Sequence, residues 1–346
     1  MIWIRADANK EIGTGHVMRC LSIASELRNQ GQQVCFLVAD ESAVPLLEAK
    51  GQDYRVLHSD FRNMEAEQEN LLKMICAGKD MAIGRGRDFF LVDSYYVTEE
   101  YFRQIRKYMP VGYVDDKGVV PYELDLLINY NIFAKDSLYE GQKARLVLGP
   151  AFAPLREEFR QVDYVVRDQV KQVMITTGGS DKYNLAGKIL EKVLKHPETS
   201  RVKYCVVSGV YNIYYEALKE IEKQHENVEI LSNVKDMSGL MKDSDIAITA
   251  GGSTMYELSA VGVPILCFSF VDNQEQIVEG FFQRELVCFG GNYLQQGEEM
   301  PERLVEKLAS LVGDVGLRRQ FSERQRNLVD GRGAGRIASE IMKFTS

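Results

Sequence analysis

The chain has 346 residues, a formal net charge of -8 and a sequence pI near 5.3. Nucleic acids and anionic membranes reward a basic surface, so this acidic balance argues against both as partners. The length predicts two domains of about 150 to 170 residues each.

In chain order, the first predicted element is the strand Ile2-Trp3-Ile4-Arg5, followed by the turn Ile12-Gly13-Thr14-Gly15-His16 and a helix over roughly Val17 to Asn29. Gly13 and Gly15 allow positive φ and close approach of the backbone to a ligand, and the helix N-terminus aims its amides at the same space. The positive end of the helix favours a neutral imidazole at His16, which makes it a candidate general base. The alternative is a plain strand-to-helix join, with the histidine satisfied by a backbone carbonyl. Arg5 and Asp7 end the first strand, either contacting substrate or forming a structural ion pair. Arg19 lies three residues after His16, on the same helix face. It could meet phosphate or pair with an acidic neighbour. The strands 34–38, 89–92, 111–114 and 126–128 follow as continuous apolar runs, the mark of parallel strands buried on both faces. Asp93-Ser94-Tyr95-Tyr96 and Asp115-Asp116 stand at the ends of two of them, as ligand groups, helix caps or solvated loop residues.

A charged stretch after Arg156 marks a linker near residues 158–170, and the expected domains are 1–160 and 161–346. The strand rhythm restarts at 173–176 and continues through 204–207, 228–231, 246–249 and 265–268, giving a second α/β domain. The turns Gly178-Gly179-Ser180 and Gly252-Ser253-Thr254 both fit phosphate, and two such turns in one domain suit a nucleotide diphosphate. Thr254-x-x-Glu257 also fits a capping box, so Glu257 is either a cap or a ribose acceptor. Asn273 and Gln274 follow the strand 265–268, at an end where ligands bind. The last helix is expected to pack back on the first domain.

Six cysteines are scattered without zinc spacing and four sit in apolar runs, which reads as buried free thiols. No metal or other cofactor is expected, although Asp115 and Asp116 are adjacent carboxylates that could hold magnesium. With a strand starting at residue 2 and no uncharged apolar run of about 18 residues, neither a leader nor membrane insertion is expected. The expectation is a cytoplasmic monomer.

The run Arg5-Ala6-Asp7 through Ile12-Gly13-Thr14-Gly15-His16 and Arg19 resembles the start of the UDP-sugar hydrolases of pseudaminic acid biosynthesis. Val114-Asp115-Asp116, Leu127 to Asn131, Tyr139-Glu140-Gly141, Gly149-Pro150, Leu155 to Phe159, Gly251 to Glu257 and Asn273-Gln274 resemble that family in order, over essentially the whole chain. The sequence departs from it at Ser94, where some members carry histidine, and at Thr14, where a bulkier residue can occur. The resemblance implies an α/β fold of the GT-B type, similar to the MurG glycosyltransferases, with two Rossmann-like domains of parallel sheet facing across a cleft. It further implies UDP held mainly by the C-terminal domain, His16 as base, Tyr95 as a cleft tyrosine, Asn273 as an active-site asparagine and Glu257 at the ribose. The implied reaction is inverting hydrolysis of UDP-2,4-diacetamido-2,4,6-trideoxy-β-L-altropyranose, with a MurG-like sugar transfer as the alternative.

Overall fold

The computed structural model describes residues 1–76, 88–118, 122–209 and 211–345. The chain divides into two compact units, Met1–Arg156 with Arg332–Ser346, and Glu157–Gly331.

The first unit carries strands β1 (Ile2–Ala6), β2 (Val34–Val38), β3 (Asp53–Val56), β4 (Phe89–Asp93), β5 (Val111–Val114), β6 (Leu126–Asn129) and β7 (Arg145–Leu148). They form one parallel sheet in the order β3-β2-β1-β4-β5-β6-β7. Its helices are α1 (Gly15–Asn29), α2 (Val44–Ala49), α3 (Met64–Cys76) and α4 (Glu99–Arg106). Phe90, Val92, Tyr101, Phe102, Ile105 and Leu127 form part of a core between sheet and helices. Each such buried side chain contributes about 1.5–3 kcal/mol. The strand order reverses between β1 and β4, and in open parallel sheets the crevice at that reversal receives ligands.

The second unit carries β8 (Gln172–Thr176), β9 (Lys203–Ser208), β10 (Val228–Ser232), β11 (Ile246–Ala250), β12 (Ile265–Ser269) and β13 (Cys288–Asn292), parallel in the order β10-β9-β8-β11-β12-β13. Its helices are α5 (Leu185–Val193), α6 (Tyr215–Gln224), α7 (Met237–Asp243), α8 (Thr254–Val261), α9 (Glu275–Gln283), α10 (Tyr293–Gln296), α11 (Glu299–Gly313) and α12 (Val315–Leu328). Here the reversal lies between β8 and β11. The α/β fold with two parallel sheets is as the sequence predicts.

One boundary differs from the sequence expectation. The stretch 158–170 is part of the second unit rather than a linker. Phe159 is fully buried, the Tyr164 hydroxyl donates to Ser244 O at 3.2 Å, and Arg167 Nε meets Asp245 Oδ1 at 2.5 Å. The buried Arg318 guanidinium also donates to the carbonyls of Arg167 and Asp168 at 3.1 and 2.8 Å. Charged side chains here satisfy backbone ends inside the fold, which hydropathy alone cannot register. The final helix α13 (Gly333–Met342) belongs to the first unit, where Ile337, Ala338 and Ile341 are buried and the helix packs on α1. Arg145 pairs with Glu340, and Gly333 is needed because a Cβ there would lie 2.1 Å from Ala153 O.

Cys20, Cys35, Cys205 and Cys267 are buried free thiols and Cys288 is half-buried, while the side chain of Cys76 lies outside the described residues. No helix among the described residues is long and apolar enough to cross a membrane.

Candidate functional site

The turn after β1 is built by Asn9, whose side-chain oxygen accepts from Glu11 N and Ile12 N, and by a backbone bridge from Asn9 to Gly13. Gly13 has φ +72°, a conformation that L side chains rarely adopt. The turn opens α1 with no side-chain cap from Thr14 and no acidic residue in the first turn, so its amides and dipole remain available to an anion. A Cβ on Gly15 would meet nothing within 4 Å, and its φ is ordinary. The chain itself does not demand glycine there.

β1 and β4 are neighbours with Ala6 opposite Asp93, so α1 and the end of β4 meet at the strand reversal. His16, 4% exposed, has Nδ1 2.5 Å from Asp93 Oδ1. Burial alone would raise the Asp93 carboxyl, but Arg19 and His16 outweigh it and hold it well below the usual carboxylate range. An ionised Asp93 can only accept, so the proton of this bond sits on Nδ1, and in the neutral imidazole the lone pair is then on Nε2. The imidazole is therefore oriented as a base with one free nitrogen.

Arg19 closes a ring around this pair. Its Nε and Nη2 reach the two Asp93 oxygens at 2.5 Å, its Nη1 reaches Asp116 at 2.7 and 2.8 Å, and Nη1 also donates to the Tyr130 hydroxyl at 3.0 Å. Tyr95 donates to Asp116 Oδ2 at 3.0 Å and sets its ring edge-on to His16, with centroids 4.5 Å apart. Burial first, then Asp116, pushes the Tyr95 hydroxyl up, so it stays a neutral donor. Burial likewise pushes Tyr130 up to about 12 against the pull of Arg19. Tyr95 is 39% exposed and Lys117 Nζ lies 4.4 Å over its ring, so it flanks the imidazole on the solvent side.

Of the alternatives the sequence leaves open at Arg5, Asp7 and Arg19, the structure shows the ion pairs. Arg5 is fully buried, bonded to Glu67 at 2.7 and 3.0 Å and to Asp7 at 2.5 Å. Asp7 spends its other oxygen on Ala39 N at 2.7 Å. Glu67, which sequence reading missed, also accepts from Tyr101 and Ser59, so the whole cluster is a satisfied structural network. Arg19 is bonded to two carboxylates, Asp93 and Asp116. Asp115 accepts from Lys117 N, Gly118 N and the Tyr139 hydroxyl. With Asp116 taken by Arg19 and Tyr95, the pair of carboxylates is spoken for by protein donors, and among the described residues no group of His, Cys, Asp and Glu is arranged to hold a metal ion.

In the second unit, β8 and β11 pair with Thr176 opposite Thr249, which sets the turns 177–180 and 251–254 side by side at the strand reversal. Gly178 has φ +88° and its amide is 3.4 Å from Thr176 Oγ1, so it shapes the turn. The Gly178 and Gly179 carbonyls face the loop after β9, where Gly209 is packed against them and Tyr211 N donates to Gly179 O. In a trans peptide the N–H points opposite to the C=O, so the amides of Gly179 and Ser180 point away from that loop. The terminus of α5 is not open to phosphate, because Asp181 accepts from Leu185 N and Ala186 N at 2.8 Å each. The terminus of α8 is open: the helix starts at Thr254 and Ser253 makes no side-chain cap. Glu257 sits half-buried in its first turn. Gly251 is required by packing, since a Cβ would lie 2.4 Å from Val278 Cγ2, whereas Gly252 and Gly179 face open space. Asn273 is exposed at the end of β12, but Gln274 bonds Phe270 N at 3.0 Å and serves its own loop.

Residues 173–324 match the model of the glycosyltransferase family 28 C-terminal domain. The whole chain aligns with the crystal structure of Acinetobacter baumannii MurG at TM-score 0.67, covering 99% of each chain at 15% identity. The fold is of the GT-B type. Over 98% of its length the chain is 26% identical to the spore coat polysaccharide biosynthesis protein SpsG of Bacillus subtilis, covering 96% of that relative. It is 24% identical to the UDP-2,4-diacetamido-2,4,6-trideoxy-β-L-altropyranose hydrolase of Campylobacter jejuni, over 79% of this chain and 93% of that one. An uncharacterized protein of Methanocaldococcus jannaschii is 27% identical over 82% of the chain, which spans 58% of that protein's length.

Proposed function

We propose that the chain hydrolyses a UDP-linked 2,4-diacetamido-2,4,6-trideoxy sugar at the anomeric C–O bond with inversion, releasing UDP and free sugar for pseudaminic acid-type nonulosonate biosynthesis. The observation that carries this reading is the imidazole of His16 at a strand reversal, with Nδ1 held by Asp93 and Nε2 free. In this mechanism Nε2 takes a proton from water as the water oxygen bonds to the anomeric carbon. The bond from that carbon to the phosphate oxygen breaks, and its electron pair leaves with UDP. The terminal phosphate of UDP is a stable anion near neutral pH, so no strong general acid is required. The amides of Gly179, Ser180 and Gly252 to Thr254 hold the departing charge, a preorganised electrostatic contribution. Glu257 accepts from the ribose hydroxyls, Asn273 contacts the sugar-phosphate, and Tyr95 flanks the water beside His16. No step calls for a metal. The Campylobacter relative named for this hydrolysis supports the substrate class.

The match to a glycosyltransferase domain favours a second reading, transfer of the sugar from UDP to a glycan acceptor. Incubation with the UDP-diacetamido-altrose in ¹⁸O water, with mass spectrometry of both products, tests both. Label in the free sugar supports hydrolysis at carbon, and label in UDP overturns it. Unreacted substrate that turns over only with an added glycan supports transfer.

A further inference from the structure

Arg19 contributes more than packing to the ring around His16. The imidazole meets Asp93 from β4, Arg19 from α1, whose Nη2 lies 3.1 Å from Nδ1, and Tyr95 from the loop after β4; Asp116 after β5 and Tyr130 after β6 bond Arg19, and Cys20 bonds Asp93. Lys117 lies beyond the Tyr95 ring. In the neighbouring elements, Glu11 pairs with Arg62, Arg336 donates to Ala151 O and Glu340 pairs with Arg145, so these charges are engaged elsewhere. The frame around the imidazole thus holds two carboxylates and one guanidinium, a net charge of about -1 by the ordinary ionisation of these groups.

We propose that Arg19 is a positioning residue that sets the proton affinity of His16: by neutralising one of the two carboxylates and fixing both, it leaves the imidazole facing a single uncompensated negative charge. The frame is then neutral only when the imidazole carries a proton. With Arg19 lost, Asp93 against the ring and Asp116 behind it are both uncompensated and hold the proton on, so the base is idle at neutral pH. With Asp116 neutralised, the frame starts at zero charge and the imidazole gives its proton up too readily to pull one from water. Arg19 bonds both carboxylates through separate nitrogens, so no lysine ammonium reproduces the geometry even though it preserves the charge. The inference rests on His16 acting as the base, as proposed above, but its first test does not depend on turnover.

The test is the titration of the His16 ring protons by NMR in the full chain, assigned by their loss in His16→Gln, compared with Arg19→Gln, Asp116→Asn and Arg19→Lys. Arg19→Gln is expected to raise the midpoint by about one pH unit or more and Asp116→Asn to lower it, while Arg19→Lys stays near the unsubstituted chain. A role limited to structure would not produce opposite shifts. Coincident midpoints in Arg19→Gln and Asp116→Asn overturn the proposal, and should Arg19→Gln fail to fold, an unmoved midpoint in Asp116→Asn does the same. In the hydrolysis assay the acid limb of kcat/KM is expected to follow these midpoints. If the midpoints shift while His16→Gln retains full turnover, the charge-setting role stands and the assignment of His16 as base falls instead.

Discussion

Gly251 and Gly252 are adjacent, yet the structure predicts opposite consequences of adding one methyl group at each. A Cβ at Gly251 would lie 2.4 Å from Val278 Cγ2 and 3.0 Å from the Gln274 carbonyl oxygen, so backbone as well as side chain must give. Overpacking of this kind costs about 1–3 kcal/mol, and for a unit of this size each kcal/mol moves Tm by about 2–4 °C. Gly251→Ala is therefore expected to lower Tm by roughly 2–12 °C. At Gly252 a Cβ meets nothing within 4 Å and φ is ordinary. Replacing glycine at such a site gains about 0.4–1 kcal/mol by restricting the unfolded chain. Gly252→Ala should leave Tm unchanged or a few degrees higher. If the open space beside Gly252 is where a diphosphate approaches the α8 terminus, that methyl group intrudes on it. A tenfold loss of UDP affinity, about 1.4 kcal/mol, is the least expected. Thermal unfolding and calorimetric titration with UDP on both variants decide the matter. A Gly252→Ala protein that is fully stable and binds UDP as tightly as the unsubstituted chain refutes the assignment of this turn to phosphate.

Three further outcomes are expected. Asp93→Asn replaces the accept-only carboxylate with an amide that can also donate, so the His16 tautomer is no longer fixed, and kcat should fall about 10²–10⁴-fold with UDP affinity retained, measured by steady-state kinetics. Because folding depresses the Asp93 carboxyl, its stabilisation is present above the unfolded value near 3.9 and is lost as pH falls below it. The stability difference between the unsubstituted chain and Asp93→Asn should accordingly shrink below about pH 4, as read from denaturant unfolding at each pH. Glu67→Gln leaves the buried Arg5 short of a counter-charge, so stability should fall by about 3 kcal/mol or more while KM for the nucleotide sugar stays constant; a raised KM at normal stability would return Arg5 to the substrate. Tyr95→Phe removes only the bond to Asp116 and keeps the ring against His16, so Tm should change little, whereas Tyr95→Ala should lower kcat further by exposing the imidazole.

Most of the architecture was legible because central parallel strands are buried on both faces. Strands β1, β2, β4, β5, β6 and β8 to β12 read as apolar runs. The ones that escaped, β3, β7 and β13, lie at sheet edges, where Asp53, Arg55 and Arg145 are solvent-exposed and the apolar run is broken. Of the site, His16 and the open turns at Gly15 and Gly252 were visible from the spacing of glycines after a strand. The resemblance pointed to Tyr95, which the structure sets against His16.

What the sequence alone determined, then, was local: which segments are strands, which turns are glycine-rich, and that a histidine opens the first helix. Which charged side chains face a ligand and which face each other was decided by the tertiary structure. Arg5 and Arg19 are both arginines near the same turn, and nothing in the linear order separates Glu67, 62 residues from Arg5, from Asp93, 74 residues from Arg19. Their partners are set by sheet order, which places β4 beside β1 and brings Asp93 opposite Ala6. A charge declares its role only once its counter-charge is in place, because Coulomb attraction and desolvation depend on distance and burial rather than on separation along the chain.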